Sequence, residues 1–249
     1  MNEFDLTIIA DRLEAMEETI ISRILDRIQY KQNSAVYSTD KILLNNASPL
    51  DYMHKLTEKI FAELGKFTVA EEKPFFKDTC LSANTADTSI VRKKEPFGRN
   101  ILNEINITAK IKEHYSSFVN TACETGDDNE YGSTAEADIA ALTAISKRIH
   151  YGSFYVAESK FLLSPQKYVE AVKNNNENAV RDLLTRREIE EKIVSRVKKK
   201  CDKIQSAYTS KLRKKINSEL IGNFYKNTII PLTKDGETEY LFRRCKNGN

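Results

Sequence analysis

If this 249-residue chain does chemistry, charged side chains must do it. It holds no serine, histidine and aspartate set arranged for nucleophilic attack, no glycine-rich phosphate loop and no ligands at metal spacing. Cys80, Cys123, Cys201 and Cys245 are scattered without a C-x-x-C pair. Neither a zinc site nor a thiol redox motif is expected, and no metal or cofactor is invoked. What remains is a bundle interior lined by ionic side chains, which can bind, orient and electrostatically stabilise a small charged molecule. The stretch from Ser146 to Phe161 is the most telling, with Arg148 and Lys160 set among aromatic and small residues.

Helices must position these groups. Only 8 Gly and 5 Pro occur, and long stretches contain neither, as helices require and hairpins do not. Before Ala47, the residues Leu6, Ile9, Leu13, Met16, Ile20, Ile24 and Ile28 recur at the spacing of one amphipathic helical face. Ser48-Pro49 opens a second helix over 49 to 64, with Met53, Leu56, Ile60 and Leu64 as its stripe and Gly65 as its C-cap. Thr68 to Gly98 reads as an extended connection in which Lys73-Pro74-Phe75-Phe76-Lys77 packs locally through its aromatics. Ile101, Ile105, Tyr115 and Phe118 mark another helix, followed by a mobile polar loop from Glu124 to Glu130.

Ser133-Thr134-Ala135-Glu136 reads as a capping box ahead of Ile139, Leu142, Ile145 and Ile149. Ser164-Pro165 starts a shorter helix, and Thr185-Arg186-Arg187-Glu188 is a second capping box before Ile189, Ile193 and Val197. Leu212, Ile216, Leu220 and Phe224 mark a further helix, Pro231 interrupts it, and Glu237 to Arg244 forms a final helical segment. No sustained strand pattern occurs. The expected fold is all-α, with a core large enough for one or two domains.

The stretch Arg148-Ile149-His150-Tyr151-Gly152-Ser153-Phe154-Tyr155-Val156-Ala157-Glu158-Ser159-Lys160-Phe161 resembles the signature of eukaryotic all-helical chorismate mutases. Other landmarks of that family fall in the same order: Met16-Glu17-Glu18, Lys73-Pro74-Phe75-Phe76, Gly132-Ser133, Glu190-Glu191-Lys192-Ile193, and Ile230-Pro231-Leu232-Thr233 with Glu239-Tyr240-Leu241-Phe242-Arg243-Arg244. Together they cover nearly the whole chain, and the resemblance implies an elongated multi-helix bundle with 1–249 as a single domain.

The resemblance implies an isomerase that rearranges chorismate to prephenate in phenylalanine and tyrosine biosynthesis. Chorismate is a dianion whose ether bond breaks as a carbon–carbon bond forms, so no covalent intermediate and no proton transfer are needed. Positioning and electrostatic preorganisation suffice. By the same resemblance Arg148 holds a substrate carboxylate, and Lys160 donates to the ether oxygen and a carboxylate. Outside this motif, either would be read as half of a solvated ion pair. Glu190 matches the carboxylate that binds the substrate hydroxyl. Thr233 would contact a carboxylate, and Glu237, four residues on and on the same helical face, would face the ether oxygen in its protonated form.

The chain also departs from the family. Ala10 stands where the N-terminal helix normally carries a carboxylate-binding Arg, and Arg12, two residues later, is rotated by about 200°. Arg148 and Lys160 are twelve residues apart, one more than the family spacing, an excess that a π-bulge near Gly152 can absorb. Arg186 occupies a position that usually carries Asn, and offers a replacement cation. The family is commonly homodimeric and controlled by tyrosine and tryptophan between subunits. Gly132 and Ser133 match part of that effector site, whereas Gly65, Lys66 and Glu136 do not, and Ser133 as a plain helix cap stays an open alternative.

A mutase-like homodimer that binds a protein or metabolite without efficient turnover is the competing reading, with Ala10 as its basis. Nucleic acid is not an expected partner. The formal net charge is only +3, and the basic runs Arg196 to Lys200 and Lys211 to Lys215 lack interleaved aromatics. No apolar run is long enough to span a bilayer, so no membrane is expected, and the acidic start at Met1-Asn2-Glu3 with four unpaired thiols points to the cytoplasm.

Overall fold

The computed structural model describes residues 3–42, 44–79, 96–97, 105–208 and 211–246. Helix α1, Leu6–Arg27, starts where the Asp5 carboxylate accepts the Thr7 N–H at 2.8 Å. Its expected stripe is buried at Ile9, Ile20 and Ile24, and Ile21 and Leu25 widen it. At its end Arg27, 1% exposed, donates through Nε to Asp138 Oδ1 at 2.7 Å. The hydroxyls of Tyr37 and Tyr115 donate to the same carboxylate, at 2.6 and 2.8 Å. Such a buried pair is tolerable because every charge is met by hydrogen bonds. It fastens α1 to the fourth helix, to which Asp138 belongs.

Helix α2, Pro49–Glu63, has the expected ends: Ser48 accepts the Asp51 N–H at 3.2 Å, and Gly65 takes a left-handed conformation with φ 72°. Its stripe points the other way. Leu56, Ile60 and Leu64 are 44%, 58% and 57% exposed. The inward face instead carries Glu58, which accepts the N–H groups of Phe75 and Phe76 at 2.7 and 3.0 Å, and His54, whose ring lies 4.7 Å from that of Phe75. That face gives two part-buried amides a carboxylate acceptor and leaves the three aliphatic side chains pointing outward. The local aromatic packing expected at Lys73 to Lys77 is therefore present. Of the connection from Thr68 to Gly98, residues 80–95 and 98 lie outside the described residues.

Helix α3, Thr108–Ala122, begins later than the apolar spacing implied. Ile105 is buried in the extended approach to it, and Ile101 lies outside the described residues. The loop from Glu124 to Glu130 is tied down rather than loose. Its Glu124 and Gly126 carbonyls accept from Gln32 and Asn33, and Asp128 accepts from the Lys31 N–H at 2.8 Å and Asn33 Nδ2 at 2.7 Å. This anchoring lets α4, Tyr131–Tyr151, start two residues before the expected capping box. The Glu130 carbonyl takes the Thr134 N–H, the Thr134 hydroxyl accepts from Asn33, and Ser133 sits inside the first turn without capping it.

A π-helical turn, Gly152–Val156, follows α4 without a break and leads into α5, Ala157–Leu163. Next come α6, Pro165–Lys173, and α7, Glu177–Leu184. The second expected capping box is also absent: the Thr185 hydroxyl turns back to the Arg181 carbonyl at 2.7 Å, and α8, Arg187–Ser206, starts uncapped by a side chain. Leu212 is 93% exposed and precedes α9, Ser218–Phe224, which Asn217 caps.

Pro231 does not interrupt what comes next. A second π-turn, Tyr225–Ile229, joins α9 to α10, Ile230–Lys246. Widening the turn ahead of a proline relieves the clash of its ring with the preceding carbonyl and absorbs its missing N–H. Among the described residues the fold is all-helical, with one isolated bridge between Leu44 and Ala47.

Candidate active site

A cavity of about 380 Å³ opens between α1, the end of α4, α5, the start of α8 and α10, within the roughly 300–1,000 Å³ common for small-molecule sites. Arg148, Lys160, Glu190, Thr233 and Glu237 all line it. Its α1 wall is apolar along Leu6, Ile9, Ala10 and Leu13, so cations must enter from other helices.

Arg148 projects from the last turn of α4 and is 3% exposed. Its Nη1 donates to Thr233 Oγ1 at 3.0 Å, and the Thr233 hydroxyl in turn donates to the Ile229 carbonyl at 2.7 Å. No carboxylate lies within ion-pairing distance of Arg148 among the described residues, and its buried Nε has no hydrogen-bond partner. A buried guanidinium in that condition is unfavourable by several kcal/mol, roughly, unless an anion completes its shell. An anion in the cavity would complete that shell through the planar fork.

Lys160 reaches the opposite side of the cavity. Its Nζ donates to the Leu184 carbonyl at 2.9 Å and lies 3.5 Å from Glu237 Oε2. Glu237 is 5% exposed, and burial raises its pKa above the usual carboxylate range, opposed by the charges of Lys160, Lys234 and Arg148. Across from them Glu190 Oε1 meets Lys234 Nζ at 2.7 Å.

The extra residue between Arg148 and Lys160 is absorbed by the Gly152–Val156 π-turn, and Lys160 consequently still faces inward. That turn lies against α10 at two glycines. A Cβ on Gly152 would meet Thr233 Cγ2 at 2.6 Å, and one on Gly236 would collide with Ser153 Oγ and meet Ser153 Cβ at 2.6 Å. Gly236→Ala should therefore force α10 away from the π-turn. The expected cost is about 1–3 kcal/mol of stability, with a larger loss of turnover, because Thr233 and Glu237 move with the helix. Thermal unfolding beside an activity assay checks this, and unchanged values for both would contradict it.

Ala10 lines the cavity with no cation in its place, while Arg12 is exposed, outside the lining, and near the Tyr151 hydroxyl. Arg186 is present at the rim. Gly132 and Ser133 lie at the start of α4, away from the cavity lining.

Three further charged residues line the cavity in roles the sequence did not disclose. Arg196 grips the fully buried Glu17 through two bonds of 2.9 and 2.6 Å, and Lys234 holds Glu190. Glu17 and Arg196 are 179 positions apart, too far for any local spacing to connect them. Lys234 had a weak signal in its position beside Thr233.

No protein-family model matches the chain. Chorismate mutase 1, chloroplastic, of Arabidopsis thaliana is 35% identical over 253 residues, spanning 95% of this chain and 73% of the relative. Among solved structures, AtCM1 with phenylalanine or tyrosine bound in its allosteric site matches with a TM-score of 0.83 at 36% identity, over 95% of this chain and 94% of that one. The chorismate mutase of Candida albicans in complex with L-Trp matches with a TM-score of 0.88 at 28% identity, over 99% and 94% of the two chains.

Proposed function

The chain belongs to the eukaryotic all-helical chorismate mutases, and from that premise we propose which of its residues carry out the rearrangement. The protein is an isomerase that converts chorismate to prephenate. Arg148 holds one substrate carboxylate in the reactive, folded conformer, joined by Thr233 once its hydroxyl turns from the Ile229 carbonyl to donate to that carboxylate. Lys160 and protonated Glu237 flank the ether oxygen, where negative charge grows as the bond breaks, and Glu190 accepts the substrate hydroxyl. Restraint accounts for part of the acceleration, and donors already aimed at the developing charge account for the rest.

The observation that carries this reading is Arg148, almost fully buried without a carboxylate partner, in the same cavity as Lys160 and Glu237. Residues 1–249 act as one domain in it, which the pairing of α1 and α10 across one cavity supports. The test is loss of chorismate with matching appearance of prephenate in purified protein. Absence of turnover from folded protein would overturn it.

Arg186 supplies the cation that the α1 wall lacks. It lines the cavity and has no ion-pair partner among the described residues. Arg186→Ala should weaken binding of a bicyclic dianionic transition-state analogue about 10-fold, the lower end for one charge-assisted contact. Undiminished affinity in a direct titration would exclude the role.

The active form is a homodimer, with the exposed Leu56, Ile60 and Leu64 face of α2 as its contact. Sedimentation at the monomer mass would overturn this. Gly132 and Ser133 form part of a site for tyrosine or tryptophan, supported by the amino-acid complexes of AtCM1 and the Candida albicans enzyme. Rates unaffected by either amino acid would remove that role. A cytoplasmic location fits the free thiols of Cys123, Cys201 and Cys245. Among the described residues no helix is long and apolar enough to cross a membrane. Fractionation of cells would test the location.

A further inference from the structure

Glu190 poses a problem for a site that binds a dianion. A bare carboxylate in the cavity wall would repel the substrate whose hydroxyl it is meant to accept. Lys234 resolves this, since its Nζ lies 2.7 Å from Glu190 Oε1, with the two side chains 20% and 26% exposed. The contact neutralises the carboxylate, fixes its rotation and leaves Oε2 to receive a proton donor. Lys234 also precedes Glu237 by three residues on α10, which puts both on one side of the helix.

We propose that Lys234 is a positioning residue of the reaction, which orients Glu190 toward the substrate hydroxyl and couples that carboxylate electrostatically to Glu237. The proposal rests on the roles of Glu190 and Glu237 given above. The groups facing Glu237 are Arg148 from α4, Lys160 from α5, Tyr168 from α6 and Lys234 on its own helix, with Glu190 of α8 behind Lys234 and Arg186 beside Tyr168. Asp235 takes no part, because it pairs with Arg181 at 2.7 Å and Lys110 at 3.2 Å.

Removing the Lys234 charge has two effects of one sign on Glu237. It deletes a cation that favours the ionised form, and it leaves Glu190 negative nearby. Both make Glu237 hold its proton to higher pH.

Lys234→Met should therefore raise KM for chorismate about 10-fold, through lost orientation and unscreened repulsion, and shift the alkaline limb of kcat/KM upward by roughly one pH unit. Lys234→Arg should restore both. Glu190→Gln should shift the limb downward, because it leaves the lysine unopposed. Binding of the bicyclic analogue against pH, with circular dichroism as the fold control, gives a readout independent of turnover.

A purely structural lysine would change KM or stability and leave the limb in place. A limb unmoved in both Lys234→Met and Glu190→Gln overturns the proposal. Should Lys234→Met fail to fold, the downward shift in Glu190→Gln decides alone. Glu237→Gln separates the levels: if it abolishes the limb while the Lys234 variants leave it fixed, only the coupling is wrong. If the limb persists in Glu237→Gln, the assignment of Glu237 itself fails.

Discussion

Replacing Arg148 with Met should lower kcat/KM by about 10³-fold or more while leaving the protein as stable as before, or more stable. The activity loss is large because, in the proposed role, the buried guanidinium supplies two parallel donors to a carboxylate, and removal of one aimed donor typically costs about 2.7–4 kcal/mol of transition-state stabilisation. The stability expectation comes from the same geometry. Arg148 is 3% exposed, bonds to Thr233, lies 5.8 Å from the centre of the Tyr225 ring and has no carboxylate partner among the described residues, so its charge is only partly compensated by the protein. Replacing that charge with an apolar chain of similar length relieves desolvation. Met fills the space that Ala would leave open.

Arg27 is the internal comparison. It is equally buried, but Asp138, Tyr37 and three backbone carbonyls satisfy it. Arg27→Met should destabilise, because it strands Asp138, and should affect turnover only through the fold. Opposite signs in thermal unfolding for these two arginines would separate a residue kept for substrate from one kept for structure. Activity retained in Arg148→Met would remove the clamp from the mechanism. Arg148→Lys should remain impaired, since an ammonium cannot reproduce the planar fork.

That contrast shows what the sequence could disclose. Periodicity located α1, and Ser48-Pro49 and Gly65 bounded α2, because these signals are local. The π-turn was foreseeable from one residue of excess spacing between two groups that must share a cavity. The capping boxes at Ser133 and Thr185 misled because long-range bonds from Asn33 and the backward turn of the Thr185 hydroxyl decided those helix starts. Pro231 misled because the correction lies upstream of it, in a π-turn with no residue signature. The orientation of α2 was hidden because its inward face is chosen by amides at Phe75 and Phe76, beyond the helix itself. In the cavity, motif residues could be named in advance, whereas the pairings of Glu17 with Arg196 and Glu190 with Lys234 exist only after folding.

The pH dependence of turnover should be governed by Glu237. Burial at 5% exposure raises its pKa, so its neutral form persists to higher pH than an ordinary carboxyl would allow. A bound dianion adds negative charge and raises it further. In the role proposed for it, the active form is the neutral acid, which donates to the ether oxygen. Turnover is therefore full below the raised pKa and falls about tenfold per pH unit above it, the slope of a single ionisation.

Ionisation does harm twice. It turns a donor into a repelling charge beside the breaking bond. It also draws Lys160, already 3.5 Å away, into an ion pair that competes with the substrate for its N–H groups. Glu237→Gln keeps a donor at the same place without a titratable proton, so its kcat/KM should stay level through the range where the wild type declines, and exceed it at the alkaline end. Glu237→Ala should be impaired at every pH. A profile measured by chorismate loss that falls at the same pH in Glu237→Gln as in the wild type would assign the limb to another group. The donor at the ether oxygen would then be Lys160 alone.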